Sequence, residues 1–146
     1  MASTSAINML IELATKECDK AAQELGKSLR VAEETEKKLA MLVQYRDEYR
    51  VRLQVNQAEG LSIEGYRNYQ VFLEKLEQAI SGQQQIVLES KKRVEGCQKL
   101  WQSAEHKKMS YDTLAERKQK EAQKKAARRE QKETDEFAAR ASQHKQ

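Results

Sequence analysis

The chain has 146 residues, no proline, 38% apolar and only 5% aromatic side chains, and a formal net charge of +4. So few apolar residues could not fill an ordinary globular core of this size, but they suit long helices that each bury one narrow stripe. The sequence has no run of 18 apolar residues to span a membrane, and residues 1–5 lack the regions of a secretory signal.

A heptad pattern in residues 4–56 predicts the first helix. It begins within Ser3–Ser5, any of which could cap it. Apolar and small side chains alternate at spacings of four and three, which is typical of a helix supercoiled on a partner. The first seam series is Thr4, Ile11, Cys18, Leu25, Ala32, Leu39, Arg46 and Leu53; the second is Ile7, Ala14, Ala21, Ser28, Thr35, Leu42, Tyr49 and Asn56.

Residues 57–64 predict a loop at the tip of a hairpin. Gly60 and Gly65 favour a turn here, and Ser62 could cap the next helix. A connection this short makes the two helices antiparallel.

The second helix is predicted over residues 65–140, with the same heptad pattern as the first. Its seam series are Tyr66, Leu73, Ile80, Val87, Val94 and Trp101, and Tyr69, Leu76, Gln83, Ser90, Cys97, Ala104 and Tyr111. Folding the chain at the loop pairs positions whose numbers sum to about 119. This register matches polar with polar seam residues, since Thr35 lies opposite Gln83 and Ser28 opposite Ser90. It also sets Cys18 opposite Trp101. The fold class is therefore all-α, a long antiparallel two-helix coiled coil in a single domain.

Cys18 and Cys97 both lie on the predicted seam. They fall in neighbouring layers, so two small core thiols of a cytosolic protein are favoured over a disulfide.

The two flanks of the hairpin differ in polarity. The positions that precede the first seam series form the shoulder flank, which comprises Glu24, Val31, Lys38, Tyr45 and Arg52 with Phe72, Ala79, Ile86, Arg93 and Leu100. The opposite, polar flank contains Gln70, Glu77, Gln84, Lys91 and Gln98. Near the tip, an apolar shoulder consists of Tyr45, Tyr49, Phe72, Leu76 and Ala79. Such a surface either docks a partner or simply widens the seam within the molecule.

Residues 116–140 form a basic overhang without an upstream partner. Residues 115–146 hold 10 of the 27 basic and 6 of the 23 acidic side chains, so the whole excess of positive charge lies there. Three interpretations remain open: nucleic-acid binding, a solvated spacer helix, or insertion into an acidic or polar ring or groove of another protein.

No pattern of catalytic, metal-binding or cofactor-binding residues is found. His106 and His144 have no metal-motif spacing with a cysteine or carboxylate, and no glycine-rich phosphate loop is present. A two-helix rod also offers no concave pocket, so the sequence predicts a protein that is not an enzyme.

Several segments resemble the flagellar FliJ family, which belongs to the bacterial flagellar protein-export apparatus. They are residues 41–50, Asn68-Tyr69-Gln70 with Phe72, residues 76–80, and Asp135-Glu136-Phe137-Ala138. The tyrosine-rich segments on either side of the loop are the most specific, since seam packing does not require tyrosine there. The resemblance extends over nearly the whole chain.

The resemblance implies a coiled coil similar to the central stalk subunit of rotary ATPases, located at the cytoplasmic face of the inner membrane. It implies that the paired N- and C-terminal ends bind the hexameric export ATPase. The charge asymmetry suggests as ring contacts Arg117, Lys118, Lys124, Lys125, Arg128 and Arg129.

The resemblance further implies docking to the cytoplasmic domain of the export-gate membrane protein. The docking residues that it implies are Leu42, Tyr45, Tyr49, Phe72, Leu76 and Ala79. Family members are also said to bind export chaperones. The function expected is that of a mechanical coupler for export; the alternative is a generic structural coiled coil or a basic helix associated with nucleic acid.

Overall fold

The computed structural model describes the backbone of residues 2–144 and the side chains of residues 4–144. Helix α1 (Ala2–Glu59, 58 residues) and helix α2 (Ile63–His144, 82 residues) are joined by residues 60–62 and pack against each other. The described residues contain no strand. The prediction of an all-α helical hairpin is confirmed.

The loop contains only three residues, whereas the sequence predicted residues 57–64. Gly60 has a φ of 100°, a left-handed conformation that ends α1, and its amide donates to the Gln57 carbonyl at 3.3 Å. The Gly65 amide donates to Ser62 Oγ at 3.1 Å, which confirms Ser62 as the capping residue of α2.

Both helices also extend further at their other ends than predicted. Helix α1 already includes Ala2, so residues 3–5 lie inside the helix and do not cap it. Helix α2 continues past residue 140 to His144, in a segment whose alanine and arginine residues have high helix propensity.

The chain divides into two compact units. The turn unit comprises Lys20–Gln102, and the terminal unit comprises Met1–Asp19 with Ser103–Gln146.

The seam of the turn unit contains the residues that the heptad pattern predicts. Its buried side chains are Ser28, Ile80, Gln83, Val87 and Ser90, and every one of them belongs to a predicted seam series. In the terminal unit, the buried side chains Ile7, Ala14 and Cys18 belong to those series too. The apolar stripe of each helix is therefore buried against the other helix within each unit.

A layer of polar side chains crosses the seam of the turn unit. Gln83 Nε2 donates to the Thr35 carbonyl at 3.0 Å, and the hydroxyls of Thr35 and Ser90 are 3.1 Å apart. The predicted pair of Thr35 with Gln83 is confirmed. The predicted pair of Ser28 with Ser90 is not formed by hydrogen bonding, because the Ser28 hydroxyl bonds the Leu25 carbonyl of its own helix at 2.7 Å.

In the terminal unit, the seam includes a thiol. Cys18 Sγ donates to Glu105 Oε1 at 3.2 Å. Burial, followed by the hydrogen bond to Glu105, raises the pKa of this thiol. Cys18 and Cys97 are both free, which agrees with their expected role as small seam residues.

Candidate docking surfaces

The turn unit contains all six docking residues that the resemblance implies. Tyr45 and Phe72 are 50% and 40% exposed, and Ala79 is exposed as well. Leu42, Tyr49 and Leu76 are only partly exposed because they belong to the seam. The set thus consists of three outward-facing residues supported by three seam residues.

An aromatic cluster joins the seam to this surface. The Tyr49 ring stacks on Phe72 with centroids 4.3 Å apart and an angle of 29° between the planes. Its other contacts are an edge-on one with Tyr69 at 5.9 Å and the Arg52 guanidinium 5.6 Å from its centroid. These contacts hold Phe72 in place, so this part of the surface is prearranged for binding.

A shallow depression of about 360 Å³ lies beside the cluster. It is lined by Tyr49, Arg52, Gly65, Asn68, Tyr69 and Phe72. The sequence assigned Tyr69 to the seam alone and did not identify Arg52, Gly65 or Asn68 as part of a binding surface. Arg52 follows Tyr49 by three residues, which is the spacing of neighbours on a helix surface and the one signal available.

Exposed apolar side chains extend this surface along the shoulder flank. Val31 and Ile86 are 50% and 46% exposed, although the sequence-based register sets them near each other on the two helices. Their exposed parts continue the apolar surface beyond the shoulder.

Ion pairs between the helices of the turn unit lie on the polar flank. Glu77 pairs with Arg50 at 2.9 Å and with Arg46 at 3.5 Å, and Lys91 pairs with Glu36 at 3.1 Å. On the shoulder flank, the cations Lys38, Arg52 and Arg93 form no ion pair with any side chain of residues 4–144. The two flanks therefore differ in charge pairing as well as in apolar content.

The terminal unit contains all six predicted ATPase-ring contacts. Ala115 is the last partly buried residue of α2, and each residue from 116 to 144 is exposed. Lys118 lines a crease of about 380 Å³ with Ile7 and Asn8 of α1. The ring contacts after it, Lys124, Lys125, Arg128 and Arg129, lie on a part of α2 that nothing in the described chain covers. Phe137, further along, is 75% exposed.

The charge of this overhang changes along its length. Residues 116–129 contain seven basic and two acidic side chains, whereas residues 130–144 contain two basic and four acidic ones. The predicted ring contacts all fall in the first, basic part.

None of the helices within residues 2–144 has a segment long and apolar enough to cross a lipid bilayer. The same part of the chain has no group of three or more histidine, cysteine or acidic side chains placed to hold a metal ion.

Comparison with known proteins agrees with the resemblance read from the sequence. The family model described as "Flagellar FliJ protein" matches residues 3–146. Two curated relatives, the flagellar FliJ proteins of Salmonella typhi and of Escherichia coli (strain K12), are each 34% identical over 117 residues, which is 80% of this chain and 80% of each relative. The chain belongs to the flagellar FliJ family and is thereby a component of the flagellar export apparatus.

Proposed function

We propose that this chain is a non-enzymatic, stalk-like coupler of flagellar protein export. Its overhang binds the hexameric export ATPase, and its apolar shoulder binds the cytoplasmic domain of the export-gate membrane protein. The chain reaches the cytoplasmic face of the inner membrane through these partners alone. The observation that carries the proposal is that each unit has its own exposed surface, aromatic in the turn unit and basic in the terminal unit.

The shoulder has the chemistry of a protein-binding site. Phe72 and Tyr45 expose aromatic surface, Tyr49 stacks on Phe72, and the Arg52 guanidinium lies over the Tyr49 ring. Aromatic side chains and arginine dominate the binding energy of most protein interfaces, and rigid ones lose little entropy when a partner binds.

The overhang has the chemistry of a segment that a partner covers. An isolated helix in water is only marginally stable, because it lacks the tertiary packing that supplies most helical stability. The seven basic side chains of residues 116–129 would steer this helix toward an acidic or polar ring and add ion pairs within it.

Coupling follows from a mismatch of symmetry. One asymmetric helix at the centre of a six-fold ring presents a different face to each ATPase subunit. If these faces bind the subunit conformations with different affinities, the helix favours different states around the ring. The same chain, docked at the gate, links those states to the export channel. Binding of export chaperones, a further family trait, has no assigned surface on this chain.

Pulldown and ATPase stimulation with the purified export ATPase test the overhang. We expect the full chain to bind and stimulate, and a chain truncated after Leu114 to do neither. Arg128→Glu with Arg129→Glu should weaken ATPase binding and leave gate binding intact. Lys132→Glu with Arg140→Glu is the matched control, since it makes the same change in net charge on the same helix outside the basic part.

Unchanged ATPase affinity in the Arg128/Arg129 variant would reject the assignment of these contacts. A full-length chain that neither binds nor stimulates the ATPase would reject the stalk function itself.

A further inference from the structure

We infer that the shoulder flank receives an amphipathic helix of the partner, with acidic side chains along the border of its apolar stripe. This inference rests on the proposed function, because the partner in question is the cytoplasmic domain of the export-gate protein. It goes further in stating the secondary structure and the charge pattern of the segment that binds.

The first observation is the unequal pairing of charges on the two flanks. On the polar flank, Arg50 and Lys91 have carboxylates of the opposite helix within 3.1 Å. On the shoulder flank, Lys38, Arg52 and Arg93 have none among the described residues, although Glu34, Glu48 and Glu89 lie along the outer edge of the same flank. The interhelical ion pairs of the turn unit thus lie on the polar flank, and the cations of the shoulder flank form no ion pair among the described residues.

The second observation is the spacing of these cations. Lys38 and Arg52 are 14 residues apart, two full heptads, which corresponds to about 21 Å along a helix. Because the Ser90 hydroxyl contacts that of Thr35, Arg93 lies level with about residue 32 of α1. The three cations are therefore distributed over about 30 Å of the flank.

Apolar side chains fill the intervals between the cations. Val31 and Tyr45 of α1 and Phe72, Ala79 and Ile86 of α2 lie between or beside the cations on the flank, and all are exposed; Glu24 and Leu100 occupy its end away from the turn. These apolar residues repeat every seven residues or a multiple of seven, so they match the apolar stripe of a third helix better than an extended strand or a loop. The long stems of lysine and arginine would cover the edges of that stripe while their charges meet acidic residues.

The occupant that satisfies both observations is a helix with carboxylates two heptads apart beside an apolar stripe. Leucine-rich helices without acidic borders would bury the apolar residues but leave the three cations without partners. An acidic loop would meet the cations but leave Phe72 and Ile86 in water.

The test measures the affinity of the full chain for the purified cytoplasmic domain of the gate protein, at low and at high salt. Lys38→Glu with Arg52→Glu should weaken binding about tenfold at low salt and much less at high salt, because salt screens the pairs that are lost. Lys92→Glu with Lys99→Glu makes the same change in net charge on exposed residues of the turn unit outside the flank. We expect that control to change affinity less than about twofold.

Phe72→Ala separates the inference from the function on which it rests. If Phe72→Ala weakens binding but the Lys38/Arg52 variant behaves like the Lys92/Lys99 control, the acidic helix is wrong and the docking site stands. If Phe72→Ala has no effect, docking at the shoulder fails, and the inference fails with it. If sedimentation shows self-association that the Lys38/Arg52 variant abolishes while gate binding persists, the occupant is a second copy of this chain, which also overturns the inference.

Discussion

Tyr49 is the residue through which the seam and the shoulder are joined. Its ring lies partly buried between the helices, and it contacts Tyr69 on one side and Phe72 on the other. Leu76 likewise belongs to both sets, since it is a partly buried seam residue and a predicted docking residue. Substitutions at these positions would change stability and binding together, whereas Phe72, which is outside the seam series, should affect binding more than stability.

Phe72→Ala and Leu76→Ala should therefore behave differently. Both should reduce binding to the gate domain. Phe72→Ala removes one stacked contact and should lower the free energy of unfolding by no more than about 1.5 kcal/mol. Leu76→Ala leaves a gap in the seam and should cost about 2 kcal/mol. Urea unfolding followed by circular dichroism measures both effects. Loss of helix in the Phe72→Ala chain under native conditions would mean that Phe72 serves packing rather than docking.

At the scale of the helices, heptad spacing was enough to predict which side chains are buried. Buried residues such as Ile80 and Val87 appear where the pattern sets them, because a helix can bury only one stripe on a single partner. Spacing could not predict whether a seam hydroxyl forms its hydrogen bond with the opposite helix or with its own backbone. Thr35 contacts both Gln83 and Ser90, while Ser28 bonds its own backbone, since serine and threonine readily bond carbonyls of the preceding turn.

The ends of the helices were less predictable than the seam. Serine and threonine favour the cap position, which is why the sequence predicts a cap within Ser3–Ser5. A capping residue must itself have non-helical backbone angles, however, and the helix already includes Ala2. The docking set depended on the family resemblance, and the structure adds the Arg52 contact and the free cations. Those depend on which rotamers long side chains adopt, which residue spacing alone does not define.

Glycine has opposite effects at two positions of these elements. Gly60 adopts a φ of 100°, so Gly60→Ala should destabilise the turn by about 1 kcal/mol. Gly82 lies inside α2 with open space where a Cβ would point, so Gly82→Ala should stabilise the chain by about 0.5–1 kcal/mol. Thermal unfolding of the two variants measures whether each substitution lowers or raises the stability. A stabilising Gly60→Ala would show that the turn does not need the left-handed conformation.

At the scale of the whole chain, local stability should differ sharply between covered and uncovered helix. The backbone is helical throughout Ile63–His144, but the seam supports it only as far as Ala115. Helical hydrogen bonds without buried side chains behind them open easily, whereas those along a packed seam open only with the unit that contains them. One continuous helix should thus contain a part that opens rarely and a part that opens easily.

Hydrogen exchange measured by mass spectrometry tests this difference directly. In the free chain, amides of residues 117–144 should exchange almost at the rate of an unstructured peptide, and amides of residues 80–90 should be protected by several orders of magnitude. Adding the export ATPase should slow exchange in residues 117–144 and leave residues 80–90 unchanged, because binding protects the segment that it covers. Adding the gate domain should leave amide exchange in the overhang as fast as in the free chain. If residues 117–144 of the free chain were protected as strongly as residues 80–90, the overhang would already be packed before the ATPase binds. The chain would then assemble from preformed parts, and the model in which the partner orders a solvated helix would be wrong.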